Sequence, residues 1–301
     1  MRNHISSPRL SSFFMASVFG FLAFFSASAC AWRQAEIVAK VMRGGEGATA
    51  LEIFKSRNAH VALPAGSLIK MLTCYMAFLA MKDGKIELDQ KIPISRSPLL
   101  YSTFAEYPDG VREVTIRELI VATAVQSNNY AARDLGVKLE ELGYDPNQVA
   151  KDLGLDRTTK IYNLTGLPEI RGNNKLYTMT TLGNMVRLSV RLHQDFPEYV
   201  SLLQEDSVSI NGHQMHVGRS SPSKLGFDAY EGGKSATLNR CRSAVVSLKG
   251  GFILAVMCAR DLNARNRILR QQYDLIDEWL PATAVSTQVD PDQRPALSLA
   301  R

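Results

Sequence analysis

The stretch LPAGSLIKMLTCYMAFLAM, Leu63 to Met81, carries one lysine in a run that is otherwise apolar or small. Burying an unpaired ammonium costs several kcal/mol, so a lysine kept there is expected to be paired, exposed or used. Lys70 stands three residues after Ser67, and positions i and i+3 of a helix share a face. A helix over this stretch is too short to span a bilayer and apolar on most sides, which predicts a buried element whose Met and aromatic residues are packing. A lysine desolvated at its start has the ammonium form disfavoured and can act as base toward a serine hydroxyl. Ser67 and Lys70 are therefore a candidate nucleophile and base.

One Ser-x-x-Lys is expected roughly once by chance in a chain this long, and the sequence holds a second copy, Ser221-Pro222-Ser223-Lys224. That copy lies in a Ser/Gly-rich stretch with proline beside the serine, so no helix need align its side chains. Two further elements follow the first in order. Ser127-Asn128-Asn129 sits in VQSNNYAA between two helical patterns, where a hydroxyl and an amide can relay a proton and hold a carbonyl. Ser-x-Asn recurs at Ser56–Asn58 and Ser209–Asn211, so the tripeptide alone is weak. Lys234-Ser235-Ala236, in EGGKSATL, opens a strand after two glycines.

Around these elements the pattern is mixed. AEIVAKV and TALEIFKS read as two antiparallel strands joined by the Gly-rich turn MRGGEGA. Thr115-Ile116-Arg117-Glu118 is a capping-box signature that starts a helix, and NYAARDLGVKLEELG and TTLGNMVRLSVRLHQDF have helical spacing. Strand patterns resume from Glu231, and NRILRQQYDLIDEWL closes as a helix. Two strands, a helical middle, three strands and a last helix predict an α+β fold: an antiparallel sheet built from both chain ends, with the helical region packed beside it.

The 301 residues carry a formal charge of +6, with the basic residues scattered, so no nucleic-acid partner is expected. The N-terminus has Arg2 and Arg9, an apolar run and Ala27-Ser28-Ala29, a signal peptide over 1–29 with an A-x-A cleavage site. Export follows, to the periplasm or cell envelope. Cleavage there leaves Cys30 first, so membrane attachment through the signal or a lipidated Cys30 stays open. Residues 30–280 form the expected domain, and the polar, proline-containing tail 281–301 is expected to be loose. If Lys249-Gly250 is a two-residue turn, Cys241 falls opposite Cys258, and export permits a disulfide between them. His213 and His216 lack a third ligand at metal spacing, and no metal or cofactor is expected.

Ser-x-x-Lys, Ser-x-Asn and Lys-Ser/Thr-Gly in this order are the signature of penicillin-binding proteins and serine β-lactamases. From about Ala35 to Leu280 the chain resembles the low-molecular-mass penicillin-binding proteins of peptidase family S11, the D-alanyl-D-alanine carboxypeptidases. NLTGLP (Asn163–Pro168), DFPEY and VMCARDLNAR carry further likeness to that family's segments. The resemblance implies the β-lactamase/DD-peptidase-like fold: about five antiparallel strands covered by helices, with an inserted, mostly helical region. It also implies removal of the terminal D-alanine from peptidoglycan stem peptides, covalent inhibition by β-lactams, and a part in cell-wall peptidoglycan synthesis and cell shape.

The roles implied are Ser67 as nucleophile, Lys70 as its base and Ser127 as proton donor to the leaving D-alanine. Asn129 would hold the peptide, and Lys234, Ser235 and Arg265 would bind near the terminal carboxylate. The backbone N–H groups of Ser67 and Thr237 would form the oxyanion hole.

Three departures stand out. Ala236 replaces a usual glycine, and its methyl is expected to crowd the substrate strand. Gly66 is an extra residue before the serine. The roughly 20 residues after the last helix are expected to hold neither the family's C-terminal β domain nor its amphipathic anchor. Two alternatives remain: a β-lactamase, with Glu169 and Asn173 at the spacing of a deacylating loop, or a peptidoglycan-binding relative weakened by Ala236.

Overall fold

Alternation of apolar side chains across two faces explains the central sheet. In the computed structural model, which describes residues 33–43, 49–100, 102, 107–155 and 158–280, five strands form it. They are β1 (Ala35–Arg43), β2 (Thr49–Arg57), β3 (Tyr230–Leu238), β4 (Cys241–Leu248) and β5 (Phe252–Ala259). All eight residues of β5 are buried. Ile253, Ala255 and Met257 enter one core cluster, while Phe252, Leu254 and Val256 enter another on the opposite face. A strand covered on both faces loses the apolar/polar alternation and reads as a continuous apolar run. The signal peptide, Cys30 and the tail 281–301 lie outside the described residues.

The strand order is β3-β4-β5-β1-β2, every neighbour antiparallel. The chain's two ends thus meet at the β5–β1 ladder, where Ile37 pairs with Ala255. This is the α+β arrangement anticipated from the pattern, and it leaves β3 at an edge with outward backbone groups that no sheet strand covers.

One detail of register differs from expectation. The β4–β5 turn takes three residues, Lys249–Gly251, with Gly250 and Gly251 both at positive φ. Val246 therefore faces Leu254. An irregularity between Arg242 and Ala244 shifts the pairing again, and Cys258 takes φ +57° with its N–H on Ser243 Oγ at 3.1 Å. Cys241 and Cys258 are not ladder partners, yet they are joined by a disulfide across this bulge.

The helices are α1 (Lys70–Lys82), α2 (Ile116–Val121), α3 (Asn129–Glu141), α4 (Pro146–Asp152), α5 (Leu182–Asp195) and α6 (Leu262–Ile276). A 3-10 turn, Gly66–Ile69, leads into α1, whose Met71, Tyr75, Met76 and Phe78 are buried. The capping box of Thr115 and Glu118 is formed at α2. Asn211 and Gly212 both have positive φ and turn a short hairpin, which accounts for the Ser209–Asn211 tripeptide as turn chemistry. Among the described residues no helix is long and apolar enough to cross a membrane.

Candidate active site

Ser67 lies on the 3-10 turn one step after Gly66, which takes φ +49°, and Lys70 opens α1 behind it. The helical step puts Lys70 Nζ 3.1 Å from Ser67 Oγ. Lys70 is fully buried, and its other contacts are Asn129 Oδ1 at 2.7 Å and the carbonyl of Thr165 at 2.6 Å. Burial, reinforced by the nearby charge of Lys234, holds the Lys70 pKa well below the usual lysine range. A neutral amine has two N–H groups and one lone pair. Asn129 and Thr165 accept the two hydrogens, which leaves the lone pair directed at the hydroxyl proton of Ser67. The serine itself is only partly buried and faces the cleft.

The acceptor at Thr165 belongs to the NLTGLP segment, which is folded by one side chain. Asn163 Oδ1 accepts hydrogen bonds from Thr165 N at 3.1 Å, Gly166 N at 3.0 Å and Thr165 Oγ1 at 2.7 Å. Thr73, one turn along α1, donates to the carbonyl of Leu164 at 2.8 Å and pins the segment to the helix. Gly166 has φ +78°, and a Cβ there would lie 2.0 Å from the carbonyl oxygen of Gly66. Glycine is thus required for the segment to touch the nucleophile's turn.

Ser127 and Asn129 reach the site through a break between helices. After α2, residues Ala122–Gln126 widen into a π-helical turn that ends on Ser127 at φ +60°. Asn128 then caps α3, its Oδ1 accepting from Tyr130 N and Ala131 N at 2.9 and 3.1 Å. Asn129 is left buried against Lys70, with its Nδ2 on Ser102 Oγ at 3.2 Å, while Ser127 lines the cleft.

On the facing side, β3 alternates. Ser235 and Thr237 line the cleft, whereas Lys234 and Ala236 turn inward. Lys234 Nζ donates to the Ser235 carbonyl at 3.0 Å, and burial, with repulsion from Arg265, brings its pKa down to about 7. The Ala236 methyl is 4% exposed and joins the core cluster. It does not enter the substrate groove, which corrects the crowding expected from sequence.

Arg265 also departs from expectation. It is fully buried; Nη1 holds the Ser220 carbonyl at 2.8 Å, and Nε and Nη2 hold Asn266 Oδ1 at 3.0 and 2.6 Å. The arginine that lines the cleft is Arg242, half-buried and opposite Thr237 in the β3–β4 register. The reason is local: Arg265 sits inside the first turn of α6, which packs on the sheet, while Arg242 stands beside the cleft edge of β4.

The cleft, about 520 Å³, has no carboxylate among its lining residues, and Lys175 and Arg242 give it positive charge. Glu169 does not line it; the carboxylate pairs with Arg171 Nε at 2.7 Å on a short hairpin turned by Gly172. The Glu169–Asn173 spacing is therefore hairpin geometry. Among the described residues no three His, Cys, Asp or Glu cluster as metal ligands.

Comparison with known proteins bears on the fold and the family. The chain is 26% identical over 135 residues to the D-alanyl-D-alanine carboxypeptidase DacF of Bacillus subtilis, a match covering 44% of this chain and 34% of DacF. It thus spans about a third of that relative's length. Penicillin-binding protein D2 of Listeria monocytogenes, in its cefotaxime-bound form, superposes with a TM-score of 0.67 at 20% identity, over 80% of this chain and 96% of that one. The D-alanyl-D-alanine carboxypeptidase DacD of Francisella tularensis gives 0.63 at 18% identity, over 81% and 69% of the two chains. These likenesses establish the fold. The model of the D-alanyl-D-alanine carboxypeptidase family, peptidase S11, matches residues 46–240, more than half of the sequence, and the chain belongs to that family.

Proposed function

We propose that this chain is a serine-type D-Ala-D-Ala carboxypeptidase that removes the terminal D-alanine of peptidoglycan stem peptides. The observation that carries the reading is the buried Lys70 amine 3.1 Å from Ser67 Oγ, with its two remaining hydrogen-bond partners already met. Lys70 takes the hydroxyl proton as Ser67 Oγ bonds to the carbonyl carbon of the penultimate D-alanine. The resulting oxyanion is held by the N–H groups of Ser67 and Thr237, a contribution worth roughly 3–4 kcal/mol per donor. The C–N bond then breaks: Ser127 gives its proton to the leaving D-alanine nitrogen and takes up the one that Lys70 had accepted. Water, giving a proton to the neutral Lys70, attacks the ester, and that proton returns to Ser67 Oγ as the acyl C–O bond breaks.

Substrate orientation follows from charge. Arg242 and the hydroxyls of Ser235 and Thr237 line the cleft where the terminal carboxylate would lie, with the charge of Lys234 buried behind them, and Asn129 would hold the peptide amide. The edge position of β3 allows the peptide to add as a further strand. β-Lactams would acylate the same serine; the cefotaxime-bound Listeria relative supports this. Export to the cell envelope belongs to the same reading, supported by the leader sequence and the Cys241–Cys258 disulfide.

The experiment is incubation with fluorescent penicillin and with a pentapeptide ending in D-Ala-D-Ala, beside Ser67→Ala. Labelling that persists for minutes, with D-alanine released, is expected of the wild type and neither of the variant. Loss of label within seconds would identify a β-lactamase instead. A folded wild-type protein that neither labels nor releases D-alanine would make the chain a binding relative.

A further inference from the structure

Gly66 and Ala236 look like separate irregularities in the sequence, but they meet in space. A side chain on residue 66 would put its Cβ 3.3 Å from the Ala236 methyl and 3.1 Å from Leu238. On the other side, Gly166 approaches so closely that its own Cβ would lie 2.0 Å from the Gly66 oxygen and 3.0 Å from Ser67 N. The Gly66–Ser67 peptide is thus clamped between a bare glycine and a methyl group. We propose that Ala236 is a positioning residue for acylation, its methyl filling the space left by Gly66 and fixing the Ser67 N–H relative to that of Thr237. The two departures are then one reciprocal exchange.

Gly66 has no side chain and adopts φ +49°, so the peptide preceding the nucleophile can roll at little steric cost. A second glycine at 236 would place two unrestrained backbones face to face at the two segments that carry the oxyanion donors. The gap of one methyl is too small for water and would be filled by movement of the turn or left without contacts. Ala236 closes it: the residue is 4% exposed and its side chain lies in the core, away from the cleft that Ser235 and Thr237 line. Misplacing reacting groups by about 1 Å can cost roughly 100-fold in rate.

This inference rests on the serine-acylation reading, and the test separates the two. Acylation by fluorescent penicillin, and kcat and KM for the D-Ala-D-Ala peptide, are measured for wild type, Ala236→Gly, Gly66→Ala and the double variant, with folding checked by thermal melts. Ala236→Gly is expected to lower kcat and the acylation rate about tenfold with KM nearly unchanged, a smaller loss than the roughly 100- to 1,000-fold for a missing oxyanion donor. Gly66→Ala is expected to lose more, and adding Ala236→Gly to it should recover part of that loss, since the methyl 3.3 Å from the new Cβ is gone while Leu238 at 3.1 Å and the positive φ remain. An Ala236→Gly enzyme as fast as or faster than wild type overturns the inference, as does a double variant whose loss is the product of the singles. If Gly66→Ala does not fold, the kcat of Ala236→Gly decides alone. A wild type that takes no label would instead refute the proposed function.

Discussion

Lys70 and Lys234 are both buried near the cleft, yet the chemistry needs them in opposite protonation states. Lys70 must be neutral to accept the serine proton; burial and the neighbouring Lys234 charge press it that way. Lys234 has to be charged to draw in a carboxylate, and with a pKa near 7 it loses that charge as pH rises through neutrality. The expected pH profile follows: KM for a D-Ala-D-Ala peptide climbs above about pH 7, while kcat does not fall over the same interval. Steady-state kinetics from pH 6 to 9 check this, and a constant KM would remove Lys234 from carboxylate binding. Arg242→Ala should raise KM roughly tenfold or more with kcat little changed, as expected for a lost hydrogen bond to a charged group. Arg265 and Arg242 also mark where the sequence was legible. The Ser67–Lys70 pair could be read because helix spacing alone brings the two together. No local spacing tells which of two arginines faces a cleft formed by β3 and loops, and the Thr165 carbonyl that orients Lys70 is backbone, invisible in residue identity.

At the scale of elements, the site is assembled from pieces that are each imperfect. A 3-10 turn holds the nucleophile, a π-helical turn delivers Ser127 at positive φ, and an asparagine-folded segment closes on the nucleophile's turn. Such breaks aim side chains that regular helices would point elsewhere. Gly166 is where this assembly has least tolerance. Gly166→Ala meets the Gly66 oxygen at 2.0 Å and a strained φ together, so either the segment or the nucleophile turn must move. The expected result is at least a hundredfold loss of acylation and a drop in stability of about 1–3 kcal/mol, read by penicillin labelling and urea unfolding. Unaltered labelling would mean that the segment does not set the serine's position. The helices themselves were readable from apolar spacing and from the Thr115 capping box. The short hairpins were not, because two to four residues carry too little pattern. The β4–β5 register moved because the turn used three residues and a bulge followed, neither of which leaves a composition mark.

For the whole molecule, the same burial that sets up the chemistry opposes folding. The sheet is covered on both faces, and that apolar layer pays for two lysines placed where no carboxylate pairs with them among the described ion pairs. Lys234 makes the point testable, because among the described residues Nζ donates to a backbone carbonyl, that of Ser235, and to no carboxylate. Its folded-state pKa lies near 7, against about 10.5 for an unfolded lysine. Between those values the unfolded chain binds more protons, so the lysine's destabilisation is complete below about pH 7 and fades as pH rises toward 10.5. Lys234→Met keeps much of the side chain's volume and removes the charge. The variant should therefore melt roughly 2–4 °C above wild type at pH 7, and that advantage should shrink steadily by pH 9.5, while its kcat/KM on the peptide falls. Taking the difference between the two proteins at each pH cancels the shared groups that the Lys234 charge does not reach; Lys70, which it does reach, contributes to the difference. Parallel melting curves across this range would mean that Lys234 keeps its ordinary pKa in the fold, and the electrostatic basis for both lysines would then need replacing.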